Sequence, residues 1–347
     1  MQEKMKKKYP WDKGLYIIAE AGVNHNGKFN LAKKMIIGAK KAGADAVKFQ
    51  TWLEGELTGK FTKKIGYVKK NYNTKLSRYN ISNKLSLKFE EFTKLKKFCD
   101  KIKIDFLTTP CGEKSLNFIT KKLKVKYIKI GSSELNNLEF LKKASKCNRP
   151  LIFSSGMGTF NEIKKAYFTC KKYNKFPIIV FQCTSQYPCE PKNVNLNVIK
   201  SLKKSFPHVG FSDHTEGKEA AIGAISMGVN IVEKHFTMNK NFNGPDHKAS
   251  LNLGELEEYI KSLRLTKEML GSSIKKPTKE EYDIMEQTRR GLVASRDLKK
   301  GTFLKYSDIL LKRPASGMQP SEFKNALNKK IKINLKKDQP IKKKDLK

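Results

Sequence analysis

Eight short apolar runs of strand length recur along the chain, and each is followed by a segment with helical spacing. The runs are 16–22, 46–51, 105–110, 127–133, 151–157, 177–185, 208–214 and 230–237. Between them lie amphipathic stretches such as 30–42, 113–123, 159–173, 194–205 and 217–227. Continuous apolar strands bounded by Gly and Pro suit a parallel sheet covered on both faces. Eight such units in about 250 residues predict an α/β fold, a (β/α)8 TIM barrel. A doubly wound open sheet would carry fewer strands and a Gly-rich first turn, and no run here opens onto GxGxxG.

The barrel is expected to occupy residues 1–270. Residues 53–86 are too long and polar for a simple connection, so they form either a lid or substrate wall or a solvated insertion. Residues 271–289 are polar and contain Pro277, which predicts a linker. The tail, 290–347, alternates short apolar stretches with Lys299-Lys300-Gly301 and Lys336-Lys337-Asp338, as a small β-rich domain would. A core of that size is marginal alone, which predicts packing on the barrel or on a second subunit.

In such a barrel the functional side chains lie at the C-terminal ends of the strands. Polar residues stand at all eight ends: Glu20, Lys48-Phe49-Gln50, Thr108-Thr109, Lys129 with Ser132 and Glu134, Ser154-Ser155, Thr184-Ser185 with Tyr187, Ser212-Asp213-His214, and Glu233-Lys234-His235. Each buried charge costs several kcal/mol unless it is paired, so a purely structural barrel would not accumulate them. Lys48 and Lys129, ringed by hydroxyls, form a set suited to phosphate or carboxylate. His214 and His235, on neighbouring strands, either hold a divalent metal, with Glu20 and Asp213 behind them, or are hydrogen-bonded core histidines. His25 contacts substrate or shapes its loop, and His208 sits at the wrong end for chemistry. The six cysteines show neither CxxC nor zinc spacing, and are expected to be reduced core thiols.

The formal charge of +39 invites a nucleic-acid reading. Only seven of the 72 basic residues are Arg, however, and the lysines are spread from end to end. Base and phosphate readers favour the guanidinium fork, so the pattern suits lysine-rich composition on solvated faces. No nucleic-acid partner is expected. No run of 18 apolar residues occurs, and the start Met1–Lys8 has no apolar stretch behind it. The expectation is a chain without membrane association, located in the cytoplasm.

Several segments carry a closer resemblance: Ile18-Ala19-Glu20-Ala21-Gly22-Val23-Asn24-His25-Asn26-Gly27, Lys129-Ile130-Gly131-Ser132, Gly210-Phe211-Ser212-Asp213-His214-Thr215, Glu233-Lys234-His235-Phe236-Thr237 and Gly244-Pro245-Asp246-His247-Lys248-Ala249-Ser250-Leu251. Together they resemble the sialic acid synthases, that is, the N-acetylneuraminate synthases and their legionaminate and pseudaminate relatives. The tail resembles that family's antifreeze-like (SAF) domain at Ala294–Gly301 and Lys312-Arg313-Pro314. The resemblance spans essentially the whole chain.

It implies condensation of phosphoenolpyruvate with an N-acetylated sugar, giving N-acetylneuraminate from N-acetylmannosamine, or N,N'-diacetyllegionaminate from a diacetylated 6-deoxy sugar. It implies Mn2+ or Mg2+ held by residues matching His214 and His235. Lys48, Thr109, Lys129, Ser132, Ser154, Ser185, Tyr187 and Ser212 would surround phosphoenolpyruvate. Gln50, Tyr79, Glu134, Asp246 and Arg313 would hold the sugar, with Arg313 supplied by the partner subunit in a domain-swapped homodimer. Two departures bear on the sugar: some members have Asn in place of Ser185, and Phe is common in place of Cys111. Catalysis would rest on His235 and on Glu20 or Glu134 for proton handling, and the sequence leaves that choice open. A basic polyanion-binding protein on an inactive barrel is the remaining alternative.

Overall fold

The computed structural model describes residues 9–64 and 66–347; the basic start Met1–Lys8, expected not to be a leader, lies outside the described residues. The chain divides into two compact units, one running to Gly271 and the other spanning Ser272–Lys347.

The first unit is an eight-stranded parallel barrel. Its strands are β1 (Tyr16–Gly22), β2 (Ala46–Thr51), β3 (Asp105–Pro110), β4 (Ile128–Ile130), β5 (Leu151–Ser154), β6 (Ile178–Cys183), β7 (His208–Asp213) and β8 (Ile231–His235). Neighbours are hydrogen-bonded in the order β3-β2-β1-β8-β7-β6-β5-β4. β3 and β4 pack side by side without a ladder, so the ring is nearly closed.

Alternation along the strands separates two cores. Tyr16, Ile18, Ala46, Leu107, Tyr127, Ile152, Ile179, Phe181 and Ile231 fill the barrel interior. Trp11, from a short helix before β1, stacks on Tyr9 and lies against Tyr127 and Tyr16 in the same cluster. The intervening residues, such as Ile17, Val47, Phe106, Ile128, Phe153, Val180 and Val232, pack outward under the helices. Gly210 faces the Phe181 ring, where a Cβ would sit 2.3 Å from it, so this glycine makes room for the largest interior side chain of the layer.

Three elements differ from the sequence expectation. β4 is only Ile128–Ile130, because the chain turns after Gly131 into a 3-10 helix over Ser132–Glu134. The stretch 113–123 is an α-helical turn, Glu113–Asn117, continued by π-helix over Phe118–Lys122. The long connection after β2 contains two helices, Gly66–Asn71 and Arg78–Leu85. It has a small core of its own, in which Trp52, Val68, Tyr72, Ile81 and Leu85 bury together with Val23. Trp52 Nε1 also donates to the Ser82 carbonyl at 3.1 Å.

In the second unit the polar stretch expected as a linker contains a helix, Lys279–Thr288. It starts at a capping box between Thr278 and Glu281 that the Pro-containing composition concealed. An antiparallel pair follows, β9 (Gly291–Ala294) with β10 (Ile309–Lys312). Their core is Leu292, Ala294, Leu298, Leu304, Ile309, Ile331, Leu335 and Ile341.

Candidate active site at the barrel mouth

The last inward-facing layer of the barrel is charged. In the β1–β2 ladder Glu20 is the partner of Lys48, and in the β1–β8 ladder Glu20 is the partner of His235. Lys48 Nζ lies 2.8 Å from Glu20 Oε2 and donates to Thr109 Oγ1 at 3.3 Å. Glu233 Oε1 sits between the two ammoniums, 3.7 Å from Lys48 and 3.6 Å from Lys129. Lys129 donates to Ser154 Oγ at 2.7 Å and lies 5.3 Å from the centre of the Phe181 ring. All four charged side chains are buried, and two cations balance two anions.

The protonation pattern follows from that mixture. Burial pushes the Glu20 carboxyl up, to about 7, although Lys48 opposes the shift. Burial also works against the Glu233 charge, but the two flanking lysines win and hold it below its ordinary range. Burial draws the Lys129 ammonium down against the pull of Glu233, whereas at Lys48 the two glutamates outweigh burial and raise it.

Above this layer stand the two histidines. Their ring centres are 5.5 Å apart, and the Tyr187 ring lies 4.2 Å from His214 and edge-on to His235 at 5.6 Å. His214 Nδ1 is 2.7 Å from the Thr184 carbonyl, to which it can only donate. Nε2 faces Ser212 Oγ at 3.4 Å, and although burial works against its charge, the neighbouring Cys183 raises the imidazole above its ordinary value. Burial lowers the His235 imidazole well below its usual value, with His214 and Lys48 adding to the effect, so it is neutral at neutral pH. Its buried Nδ1 has no hydrogen-bond partner. A neutral imidazole with an unpaired nitrogen beside another whose far nitrogen is anchored on a carbonyl is the donor set a divalent metal takes. Among the described residues, no group of three or more His, Cys, Asp or Glu could hold a metal ion.

Ser132 and Ser185 meet over Gly156. A Cβ there would sit 2.2 Å from Ser185 Oγ and 2.7 Å from Ser132 Oγ, and the Gly156 amide donates to Ser132 Oγ at 3.1 Å. Gly156 is thus the residue that lets two hydroxyls converge beside Lys129.

A cavity of about 100 Å3 adjoins His235 on the side of the long connection. Gln50, Tyr187, Asp246 and Arg78 supply its polar groups, and Val23, Trp52, Leu57, Ile81, Leu85 and Pro245 its apolar wall. Burial lifts the Asp246 carboxyl to about 6, with Arg78 opposing.

The sequence-derived residues are distributed unevenly around this centre. Glu20, Lys48, Thr109, Lys129, Ser154, Ser212, His214 and His235 come together, with Ser132, Ser185 and Tyr187 above them. Gln50 and Asp246 line the side cavity. Glu134 is half-buried on the 3-10 helix and accepts from Asn137 at 2.8 Å. Tyr79 does not line that cavity: its hydroxyl lies against Gly55, and the neighbouring Arg78 faces the cavity instead. Arg313 follows β10, exposed, in the second unit. Asp213 is not behind the histidines, because it points outward and pairs with Lys234. Two residues at the site had no role assigned from the sequence: Glu233, named only as a strand-end polar residue, and Arg78. Glu233 was detectable, since it stands two residues before His235 on the same strand and must share its face. Arg78 had no such signal, because the helix that carries it has no strand register to place it.

Comparison with known proteins identifies the family of the chain. Residues 35–275 match the NeuB family, and residues 289–347 match the SAF domain. The chain belongs to the NeuB family. This NeuB-family chain is 38% identical over 325 residues to N,N'-diacetyllegionaminic acid synthase of Legionella pneumophila, covering 92% of it and 91% of that protein. It is 34% identical over 334 residues to human N-acetylneuraminate-9-phosphate synthase, covering 94% and 91%. Among solved structures, the N-acetylneuraminic acid (sialic acid) synthetase of Leptospira borgpetersenii superposes with a TM-score of 0.70 at 32% identity, covering 79% of this chain and 90% of that one. The NeuB-family chain is therefore a synthase of the sialic and legionaminic acid type. Among its described residues no helix is long and apolar enough to cross a membrane.

Proposed function

We propose that the enzyme condenses phosphoenolpyruvate with the open-chain aldehyde of a 2-acetamido sugar, N-acetylmannosamine in the simplest case, to give a nonulosonic acid and phosphate. The observation that carries this reading is the buried Glu20–Lys48–Glu233–Lys129 cluster beneath two imidazoles. Lys48 and Lys129 offset the phosphate and carboxylate charge of phosphoenolpyruvate, and Thr109, Ser154, Ser132, Ser185 and Ser212 orient its oxygens. Carbon 3 of the enol forms the new bond to the aldehyde carbon. Water adds to carbon 2, and phosphate leaves with cleavage of its C–O bond. Glu20, whose carboxyl is raised to about 7, is placed to hold and return the proton in these steps. Glu134, half-buried on the 3-10 helix after β4, would contact the sugar rather than the enol. His214 and His235 would hold Mn2+ or Mg2+, which when bound supplies Lewis-acid polarisation of the aldehyde oxygen. Tyr187 packs on both rings and fixes their planes. Arg313 completes the sugar pocket from a partner's tail, in a domain-swapped homodimer in the cytoplasm.

A second reading concerns the acceptor. The apolar wall of the side cavity suits a 6-deoxy methyl and an acyl methyl better than a polyol, which favours a diacetylated 6-deoxy sugar and N,N'-diacetyllegionaminate. Relatives of that name from Legionella pneumophila and Campylobacter jejuni are 38% and 39% identical to this chain.

The test is incubation with phosphoenolpyruvate, Mn2+ and a panel of 2-acetamido sugars, reading phosphate release and product mass. Sugar-dependent release that chelator abolishes is expected. Release with none of the sugars would overturn the reading, and the best substrate of the panel distinguishes the two acceptors.

A further inference from the structure

On the outward face of the strands that carry the two histidines lies a second buried charge cluster. Asp213 and Lys234 are ladder partners on β7 and β8, and their side chains meet at 3.0 Å with essentially no solvent exposure. Asp213 Oδ1 accepts from the Thr215 amide at 2.9 Å and the Thr215 hydroxyl at 2.7 Å. Its Oδ2 also accepts from Tyr259 OH at 3.0 Å. Lys234 Nζ donates to the Thr215 carbonyl at 2.6 Å and lies 5.3 Å from the Tyr259 ring centre. Tyr259 belongs to the helix Leu253–Met269.

Such a cluster is an expensive way to hold two strands and a helix together. A buried ion pair is often no better than well-packed apolar residues of the same volume, because desolvation cancels most of its attraction. What it does supply is fixed geometry, since each donor and acceptor accepts a narrow range of distances. The geometry it fixes is that of the histidines. Asp213 and Thr215 flank His214, and the hydrogen bonds between them close the turn on which its imidazole stands. Lys234 immediately precedes His235 and grips the carbonyl just beyond His214. One ammonium thus ties the ends of both histidine-bearing strands at the point where spacing between the rings is set.

We infer that Asp213, Lys234 and Tyr259 are positioning residues that hold the His214 and His235 imidazoles at metal-binding separation from the back of the strands. This rests on the metal assignment made under the proposed function. Inward residues Ser212, His214, Glu233 and His235 meet substrate and metal, and the outward pair keeps them in register.

The experiment is direct Mn2+ binding to chelator-stripped full-length enzyme, followed by electron paramagnetic resonance of the free ion, with phosphoenolpyruvate binding measured without metal as the control. Tyr259→Phe is the mild variant, and Asp213→Asn with Lys234→Met removes both charges together so that neither is left buried alone. Loss of groups that orient ligands typically weakens metal binding about 10–100-fold. The paired variant is expected to fall in that range, and Tyr259→Phe to lose roughly 3–10-fold, because one of four bonds to Asp213 is removed. Metal-free phosphoenolpyruvate binding should stay within about twofold, since Lys48 and Lys129 stand on other strands. Folded Tyr259→Phe enzyme with unchanged Mn2+ affinity overturns the inference even if the paired variant fails to fold. An equal loss of phosphoenolpyruvate and Mn2+ affinity also overturns it, as general damage. Wild-type enzyme that binds no Mn2+ overturns the metal assignment itself, and this inference with it.

Discussion

Glu20 and Lys48 are opposite each other in the β1–β2 ladder, and their charged ends meet at 2.8 Å inside the barrel. Neither has water to fall back on, so each depends on the other for its charge. Lys48→Met is expected to destabilise by about 3–5 kcal/mol, because it leaves two buried carboxylates facing one ammonium. Adding Glu20→Gln to Lys48→Met should recover much of that loss without restoring turnover. Urea titrations of the single and double variants check the stability arm, and phosphate release checks the other.

Gly156 gives a cleaner separation of binding from folding. Its replacement by Ala forces Ser132 and Ser185 apart, and both can swing aside at little cost to packing. Gly156→Ala should therefore raise the KM for phosphoenolpyruvate by roughly 10-fold, equivalent to one or two weakened hydrogen bonds, with little change in melting temperature.

Arg78 should affect the other substrate. Arg78→Ala is expected to raise the acceptor KM by about 10-fold or more, since a charged hydrogen-bond donor is lost from the pocket, while the KM for phosphoenolpyruvate stays the same. Equal effects on both substrates would show that Arg78 shapes the whole mouth rather than the sugar cavity.

Asp246 links stability to pH. Its carboxyl titrates at about 6 in the folded chain, against an ordinary value of 3.8. The folded state thus holds the proton more tightly than the unfolded one. The stability it contributes is complete below pH 3.8 and is lost as pH rises through 6. The loss is at most about 3 kcal/mol. Melting curves of wild type and Asp246→Asn should converge near pH 4, and the wild type should fall behind the variant by pH 7.

Much of the barrel was legible because burial on both strand faces leaves a distinctive run of apolar residues, and β1, β2 and β3 begin and end where that pattern does. β4 was shorter than its run, since the polar residues Ser132–Glu134 at the end of that run form a 3-10 helix instead of extending the strand. The inward side chains were legible by alternation: with His235 placed in the mouth, Glu233 had to be there too. The same rule turns Asp213 outward, and so corrects its expected place behind the histidines. Arg78 and the helix Lys279–Thr288 were hidden for a different reason. Arg78 lies on a short helix that packs against residues distant in sequence, and the helix Lys279–Thr288 buries no side chain, so no apolar period announces either.

The tripeptides Ser212-Asp213-His214 and Glu233-Lys234-His235 interleave chemistry and anchorage one residue at a time. A deletion or insertion of a single residue in either would rotate every following side chain to the opposite face, putting Lys234 or Asp213 into the mouth and a histidine under the helices. A substitution in these tripeptides changes one contact, whereas a change in their length exchanges every contact that follows.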